Sequence, residues 1–305
     1  MPTRRAFLHG AASLAALAAA PSTVRAAGPE ATPLISRPIG ATGETLPVIG
    51  LGTARTFDVE PDPPSLAPLA QVVRTLLDGG GTVIDTAPSY GRAQAVTGAL
   101  LAPGDLRRKV FLATKIWTSG RKNGRAEFEQ ALAELRTDHV DLLQVHNLSD
   151  VETILPLIRE LKDQGRTRYT GITHYREAAH DDVLAVLERQ RVDFVQINYS
   201  VEARNAERRL LPYCADRGIA VLVNRPFSAG NLFAKVRGQP LPPWAAEIDC
   251  TSWAQLMLKF IVAHPAVTAV IPATTKAANM ADSLRAGRGP LPDEAMRRRI
   301  VELFA

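Results

Sequence analysis

What this chain has little of narrows its class before any motif is read. It carries only two cysteines, Cys214 and Cys250. They form no CxxC and no metal-like spacing with a histidine, which argues against a disulfide scaffold or a zinc ribbon. Both read as small buried or half-buried apolar residues. Glycine and proline are scattered, with no low-complexity stretch to mark a linker. A dinucleotide-type GxGxxG is missing: Gly50-Leu51-Gly52-Thr53-Ala54-Arg55 has two of the glycines, no third, and no helical pattern behind it. No His/Asp set converges as metal ligands, so no metal is expected. The formal net charge is +5 over 305 residues. About +2 remains once Arg4, Arg5 and Arg25 are set aside, which gives no warrant for a nucleic-acid partner.

Those three arginines lie in a segment of its own kind. Thr3-Arg4-Arg5-Ala6-Phe7-Leu8 leads into a weakly apolar, alanine-rich run from Gly10 to Ala20, and Val24-Arg25-Ala26 offers a small-residue cleavage site. The run is too short for a comfortable membrane span. Paired arginines, apolar run and cleavage site in this order resemble a twin-arginine export signal over residues 1–26. The expected partner is the twin-arginine export machinery, and the expected location is the periplasm. Residues 27–305 then form a single domain.

Within that domain, Ile35 to Val48 reads as a hairpin around the turn Gly40-Ala41-Thr42-Gly43. Short apolar segments follow, ending near Gly52, Asp85, Lys115, His146, Thr173, Asn198, Asn224 and Ile271. Helical patterns separate them, among them 66–77, 126–135, 154–161, 206–215 and 253–262. Strands alternating with helices predict an α/β fold with a parallel sheet. Eight such units predict a (β/α)8 TIM barrel with an N-terminal β-hairpin.

The strand ends carry chemistry. Val83-Ile84-Asp85 ends in a carboxylate, and Tyr90 follows after a short loop. Phe111-Leu112-Ala113-Thr114-Lys115 ends in a lysine; Val140 to His146 ends in a histidine. Adjacent strands lie about 5 Å apart, so these four groups are expected at one rim. A buried lysine needs a counter-ion, and Asp85 is in place to be it. An ammonium beside a phenol favours the phenolate and is expected to lower the Tyr90 pKa. A phenol so placed can act as a general acid, and His146 can orient a substrate oxygen.

At this point the chain resembles the aldo-keto reductases. The resemblance rests on Asp85-Thr86-Ala87 with Tyr90-Gly91, on Thr114-Lys115 with Trp117 two residues on, and on Asp141-Leu142-Leu143-Gln144-Val145-His146. It runs from Gly50 to Thr274. It implies a catalytic tetrad of Asp85, Tyr90, Lys115 and His146 that reduces a small carbonyl compound to an alcohol, with Tyr90 as proton donor. It implies NADPH as cofactor, with NADH left open. Gly52, Thr53 and Ala54 match the turn near the nicotinamide ribose; Asp85, Thr173 and Gln196 match positions around the nicotinamide. His174 stands where many relatives have Asn, and it can contact the carboxamide, titrate or pack. Asn224 stands where many relatives stack a Tyr on the ring. Arg225 and Pro226 follow, Arg225 being a candidate for the pyrophosphate or a solvent-facing side chain. Thr274 and Lys276 are placed for a 2′-phosphate, and Asp282 and Ser283 for the adenine. Trp117, His146 and Phe227 are placed as substrate wall. The long segment from Ser228 to Asp249 reads as a lid. A monomer is expected. Two functions stay open: a reductase, or a low-turnover cofactor-binding sensor on the same barrel. A metal-dependent hydrolase ranks last.

Overall fold

Strand and helix periodicities sort this chain's apolar residues into two cores. In the computed structural model, which describes residues 32–305, these cores are the inside of a barrel and the layer between the barrel and its helices. The expected export signal at residues 1–26 lies outside the described residues.

The first strands, β1 (Ser36–Pro38) and β2 (Thr45–Pro47), pair antiparallel with Arg37 opposite Leu46. Ile39 and Leu46 of this hairpin pack with the barrel interior and stopper its N-terminal end. The barrel then runs β3 (Leu51–Gly52), α1 (Pro63–Asp78), β4 (Val83–Asp85), α2 (Ala93–Leu101), β5 (Phe111–Ile116), α3 (Arg121–Leu135), β6 (Val140–His146) and α4 (Val151–Asp163). It continues β7 (Thr167–His174), α5 (His180–Arg189), β8 (Phe194–Asn198), α6 (Leu210–Arg217), β9 (Ala220–Asn224), α7 (Asn231–Lys235), α8 (Trp253–Val262), β10 (Ala269–Val270), α9 (Ala277–Arg285) and α10 (Glu294–Glu302). The strands pair in parallel from β3 to β10 in chain order. Parallel bridges Ile49–Val270 and Gly52–Ala273 join the last strand to the first and close the sheet. The eight expected strands, their ends and the hairpin are all found.

Alternation along each strand positions the site. Val83, Phe111, Ala113, Leu142, Tyr169, Phe194, Ala220 and Leu222 form the interior core, while Ile84, Leu112, Leu143, Ile172, Val195 and Val221 face the helices. Counting on by twos along the interior face reaches Asp85, Lys115, His146, Thr173, Gln196 and Asn224. The same register that fills the lower barrel with apolar side chains therefore lifts polar ones into its C-terminal mouth.

The helices start where caps allow. Asp62 accepts from Ser65 N at 2.8 Å to open α1, and Ser252 accepts from Gln255 N at 3.1 Å to open α8. Two segments differ from their sequence pattern. Residues 205–207 make a single 3-10 turn, so α6 begins only at Leu210. The expected lid between Ser228 and Asp249 is not one open loop. It folds into a turn, the short α7 and a 3-10 stretch at Pro243–Ile248, with Leu232, Val236, Ala245 and Ile248 buried.

Candidate active site

The site grows from one buried ion pair. Asp85, at the end of β4, is 2% exposed, and Lys115, one strand over, is fully buried. Lys115 Nζ donates to both Asp85 oxygens, at 2.7 and 2.8 Å, and to the Thr86 carbonyl at 2.8 Å. Three acceptors match the three protons of the ammonium, so its burial is compensated. Burial opposes the charge on Lys115 most strongly, but Asp85 and Tyr90 together outweigh it and the lysine pKa ends above its ordinary value. Asp85 also accepts from Gln196 Nε2 at 2.7 Å, and Gln196 Oε1 accepts from Thr173 Oγ1 at 3.0 Å. Thr53 closes the network from β3, its N–H and hydroxyl both donating to the Asp85 carbonyl at 3.0 and 2.9 Å. Strands β5, β7 and β8 and the loop after β3 are thereby tied to the Asp85 end of β4.

Tyr90 hangs over this pair, half-buried, with Lys115 Nζ 5.1 Å from its ring centroid. Its pKa moves up, opposite to the sequence expectation. Burial pushes it up first, Lys115 pulls it down, and Asp85 pushes it up again. Burial is the main reason, and the Asp85 carboxylate adds to it: a lysine already neutralised by its partner offers the phenol less than a free cation would. Tyr90 is a protonated phenol at neutral pH.

His146 faces Tyr90 edge-on, with ring centroids 5.9 Å apart, and Trp117 lies 6.1 Å away on the open side. Burial first, then the charges of Lys115 and His174, hold the imidazole down at about 3. It is therefore neutral at every pH at which the fold is of interest. Trp117 is 51% exposed at the mouth.

The remaining expected positions fall into two groups. At the ends of β7 and β9, Asn224 Nδ2 donates to the His174 carbonyl at 3.5 Å, His174 stacks on Tyr175, and Arg225 sits 5.4 Å over the same ring. Phe227 packs against Phe233 at 4.8 Å between centroids, and Pro226 is buried beneath. Beyond β10, Thr274 Oγ1 accepts from Lys276 N at 3.1 Å and Asn279 Nδ2 at 3.2 Å, shaping the entry to α9. The bridge from Gly52 to Ala273 sets this turn beside Gly52, Thr53 and the half-buried Ala54. Ser283 is buried, and Asp282 is committed to α8: its two oxygens accept from Ser252 Oγ and Gln255 Nε2, each at 2.6 Å.

Sequence reasoning missed three contributors. Asp58 accepts from Arg92 N at 3.0 Å and so fixes the loop that carries Tyr90. Ser89 reaches His146 Nδ1 at 3.4 Å. Tyr175 is the ring on which His174 and Arg225 rest. None has a motif of its own; Ser89 could have been flagged as a hydroxyl beside Tyr90.

A barrel with these groups at its C-terminal mouth defines an oxidoreductase of the aldo/keto reductase class. The aldo/keto reductase family model matches residues 48–302, and the chain belongs to that family of NAD(P)-dependent oxidoreductases. It is 27% identical over 249 residues to methylglyoxal reductase DkgB of Salmonella typhimurium, covering 79% of this chain and 87% of that one. To methylglyoxal reductase YeaE of Escherichia coli it is 28% identical over 239 residues, covering 76% and 82%. An aldo-keto reductase of Klebsiella pneumoniae, solved in complex with NADPH, superposes with a TM-score of 0.74 at 22% identity, over 90% of this chain and 95% of that one. A second Klebsiella pneumoniae structure, with NADP and acetate, gives 0.72 at 24%, over 85% and 92%. Both share the fold.

The mouth fits a nicotinamide cofactor on an observation of its own. Asn224 Oδ1 is buried at the end of β9 with no hydrogen-bond partner among the described residues. An orphaned acceptor costs free energy unless a donor arrives, and a carboxamide N–H is such a donor.

Proposed function

We propose that this protein reduces a small aldehyde or ketone to the alcohol with NADPH as hydride source. The observation that carries the reading is the assembly of Asp85, Lys115, Tyr90 and His146 at one rim, with a protonated phenol beside a neutral imidazole. When bound, the cofactor supplies a hydride to the carbonyl carbon. Tyr90 gives its proton to the carbonyl oxygen as negative charge develops there. Lys115 stabilises the phenolate left behind, and Asp85 holds Lys115 in place. His146 donates to the same oxygen and sets its direction. Trp117 and Phe227 bound the substrate, which favours a compound with an apolar side. Methylglyoxal, named in the relatives, is the first substrate to assay.

For the cofactor, Gly52, Thr53 and Ala54 would hold the ribose, and Thr173, Gln196 and Asn224 the carboxamide. His174 backs Asn224 through its carbonyl. Arg225, with Pro226 behind it, is assigned the pyrophosphate. Its side chain makes no ion pair among the described residues, although its backbone sits at the unfavourable φ of 51°. Lys276 and Thr274 would hold the 2′-phosphate. Ser283 and Asp282 shape the adenine end, Asp282 through its grip on α8. The protein acts as a monomer and, through residues 1–26 and the twin-arginine machinery, in the periplasm.

Tryptophan quenching of the full-length chain, titrated with NADPH and separately with NADH, tests the cofactor. Micromolar NADPH binding that weakens at least tenfold in Arg225→Ala supports the assignment; no binding of either nucleotide by folded protein would defeat it. Replacing Arg4 and Arg5 together by Lys should keep the protein out of the periplasm, as fractionation would record.

A further inference from the structure

We propose that Ser89 is a positioning residue: its hydroxyl donates to His146 Nδ1 and so holds the imidazole in the tautomer that carries its proton on Nε2. The proposal deepens the carbonyl-reductase reading and rests on it for its kinetic consequence.

Three observations lead there. Ser89 Oγ lies 3.4 Å from His146 Nδ1, the one hydrogen bond that this side chain makes among the described residues. His146 Nε2 has no partner among the described residues, yet it is absent from their buried unpartnered atoms, so it opens to the mouth. The ring is held between Tyr90 and Trp117, with centroids 5.9 and 6.1 Å away.

A neutral imidazole has one proton to place, and the direction of the Ser89 bond decides where it goes. If Ser89 donates, Nδ1 is the acceptor and Nε2–H points into the mouth as a donor. If Ser89 accepts, the proton sits on Nδ1 and Nε2 presents a lone pair to the lone pairs of a carbonyl oxygen, which repels it. Only the first arrangement can orient a carbonyl. Ser89 adjoins Tyr90 on the loop between β4 and α2, so one short segment brings the proton donor and sets the donor edge of its partner. Nothing about a serine before a tyrosine announces this. It needs β6 to bring His146 across from 57 residues away.

The test is nitrogen NMR of the full-length chain labelled with 15N-histidine, with His146→Gln used to assign the signal. Wild-type His146 should show a protonated Nε2 and a bare Nδ1. Ser89→Ala should move it toward a mixture of tautomers, and Ser89→Thr should restore the wild-type pattern. In methylglyoxal reduction, Ser89→Ala should lower kcat on the order of five- to tenfold, as one lost hydrogen bond allows, with NADPH affinity unchanged and Ser89→Thr recovering the rate. A proton on Nδ1 in the wild type, or a tautomer indifferent to Ser89→Ala, overturns the proposal. So does a tautomer shift without a change in kcat. The NMR needs no turnover, so a protein that reduces no carbonyl compound would defeat the functional reading and still leave the Ser89 bond decided.

Discussion

Tyr90 is where burial and charge compete, and burial wins. With its pKa raised above a phenol's ordinary value, Tyr90 keeps its proton through the neutral range, as a donor must. His146, held at about 3, adds no titration of its own there. The pH profile of kcat/KM for carbonyl reduction should accordingly be flat from pH 5 to about 9 and fall only in the alkaline limb as Tyr90 ionises. An inflection near 6.5 would mean that His146 titrates like an exposed histidine. Tyr90→Phe removes the proton and should lower kcat by about 10²–10⁴ with NADPH affinity intact, which separates a reductase from a cofactor-binding sensor. Lys115→Met leaves Asp85 buried beside Gln196 without its cation and should cost about 3–5 kcal/mol in urea unfolding. The double variant Asp85→Asn with Lys115→Met removes the stranded charge and should recover much of that loss while staying inactive. These four side chains were legible in the sequence because Asp85, Lys115 and His146 fall at the ends of apolar strands and Tyr90 follows Asp85 after a short loop. The direction of the Tyr90 shift was not, because burial belongs to the folded mouth and is written in no single segment.

At the scale of elements, the turn from β4 into α2 decides where Tyr90 points. Helix α2 has no side-chain cap from its own chain entry; Asp58, from the loop after β3, supplies the acceptor to Arg92 N instead. Gly91 makes this possible. Its φ is 61°, and a Cβ there would sit 2.4 Å from the Asp58 carboxylate carbon. Gly91→Ala should cost about 1–2 kcal/mol from the left-handed backbone alone, and more from the contact. Asp58→Ala should cost about 1 kcal/mol through the lost cap. Their costs should not add, because shortening Asp58 makes room for the new methyl; a double-mutant cycle by urea unfolding with a coupling below about 0.5 kcal/mol would refute the contact. The barrel itself was legible because short apolar segments with glycine or polar ends recur through the chain, each followed by a helical pattern. The Asp58 clasp joins residues 34 apart through a loop without periodicity, and no spacing in the sequence announces it. The short helices inside the segment from Ser228 to Asp249 were not legible for a related reason: its proline and glycine content masks Leu232, Val236 and Ile248, which the fold buries.

Across the whole molecule, acid should act through histidines rather than through the central ion pair. His146, His174, His180 and His264 are all held below 6.5, burial being the first cause in each. In the unfolded chain they take up protons near pH 6.5. Between that pH and their folded values, the unfolded state therefore binds more protons than the native state, and stability rises with pH. Their contribution is complete above pH 7 and is lost progressively as pH falls from 6.5. His146 and His180, both nearly inaccessible, should carry most of it, while the half-exposed His174 and His264 are eased by solvent. The steepness has a ceiling of about 1.4 kcal/mol per pH unit for each proton taken up. The urea midpoint should thus drop steadily from pH 7.5 to pH 5, a range in which an exposed carboxylate scarcely titrates. His180 is the place to check the cause. It hydrogen-bonds Asn198 at 3.0 Å through Nε2, and its Nδ1 is buried without a partner. His180→Gln keeps an amide in reach of Asn198 and cannot protonate, so its midpoint should depend less on pH than that of the wild type. An equally steep dependence in that variant would place the acid sensitivity elsewhere in the barrel.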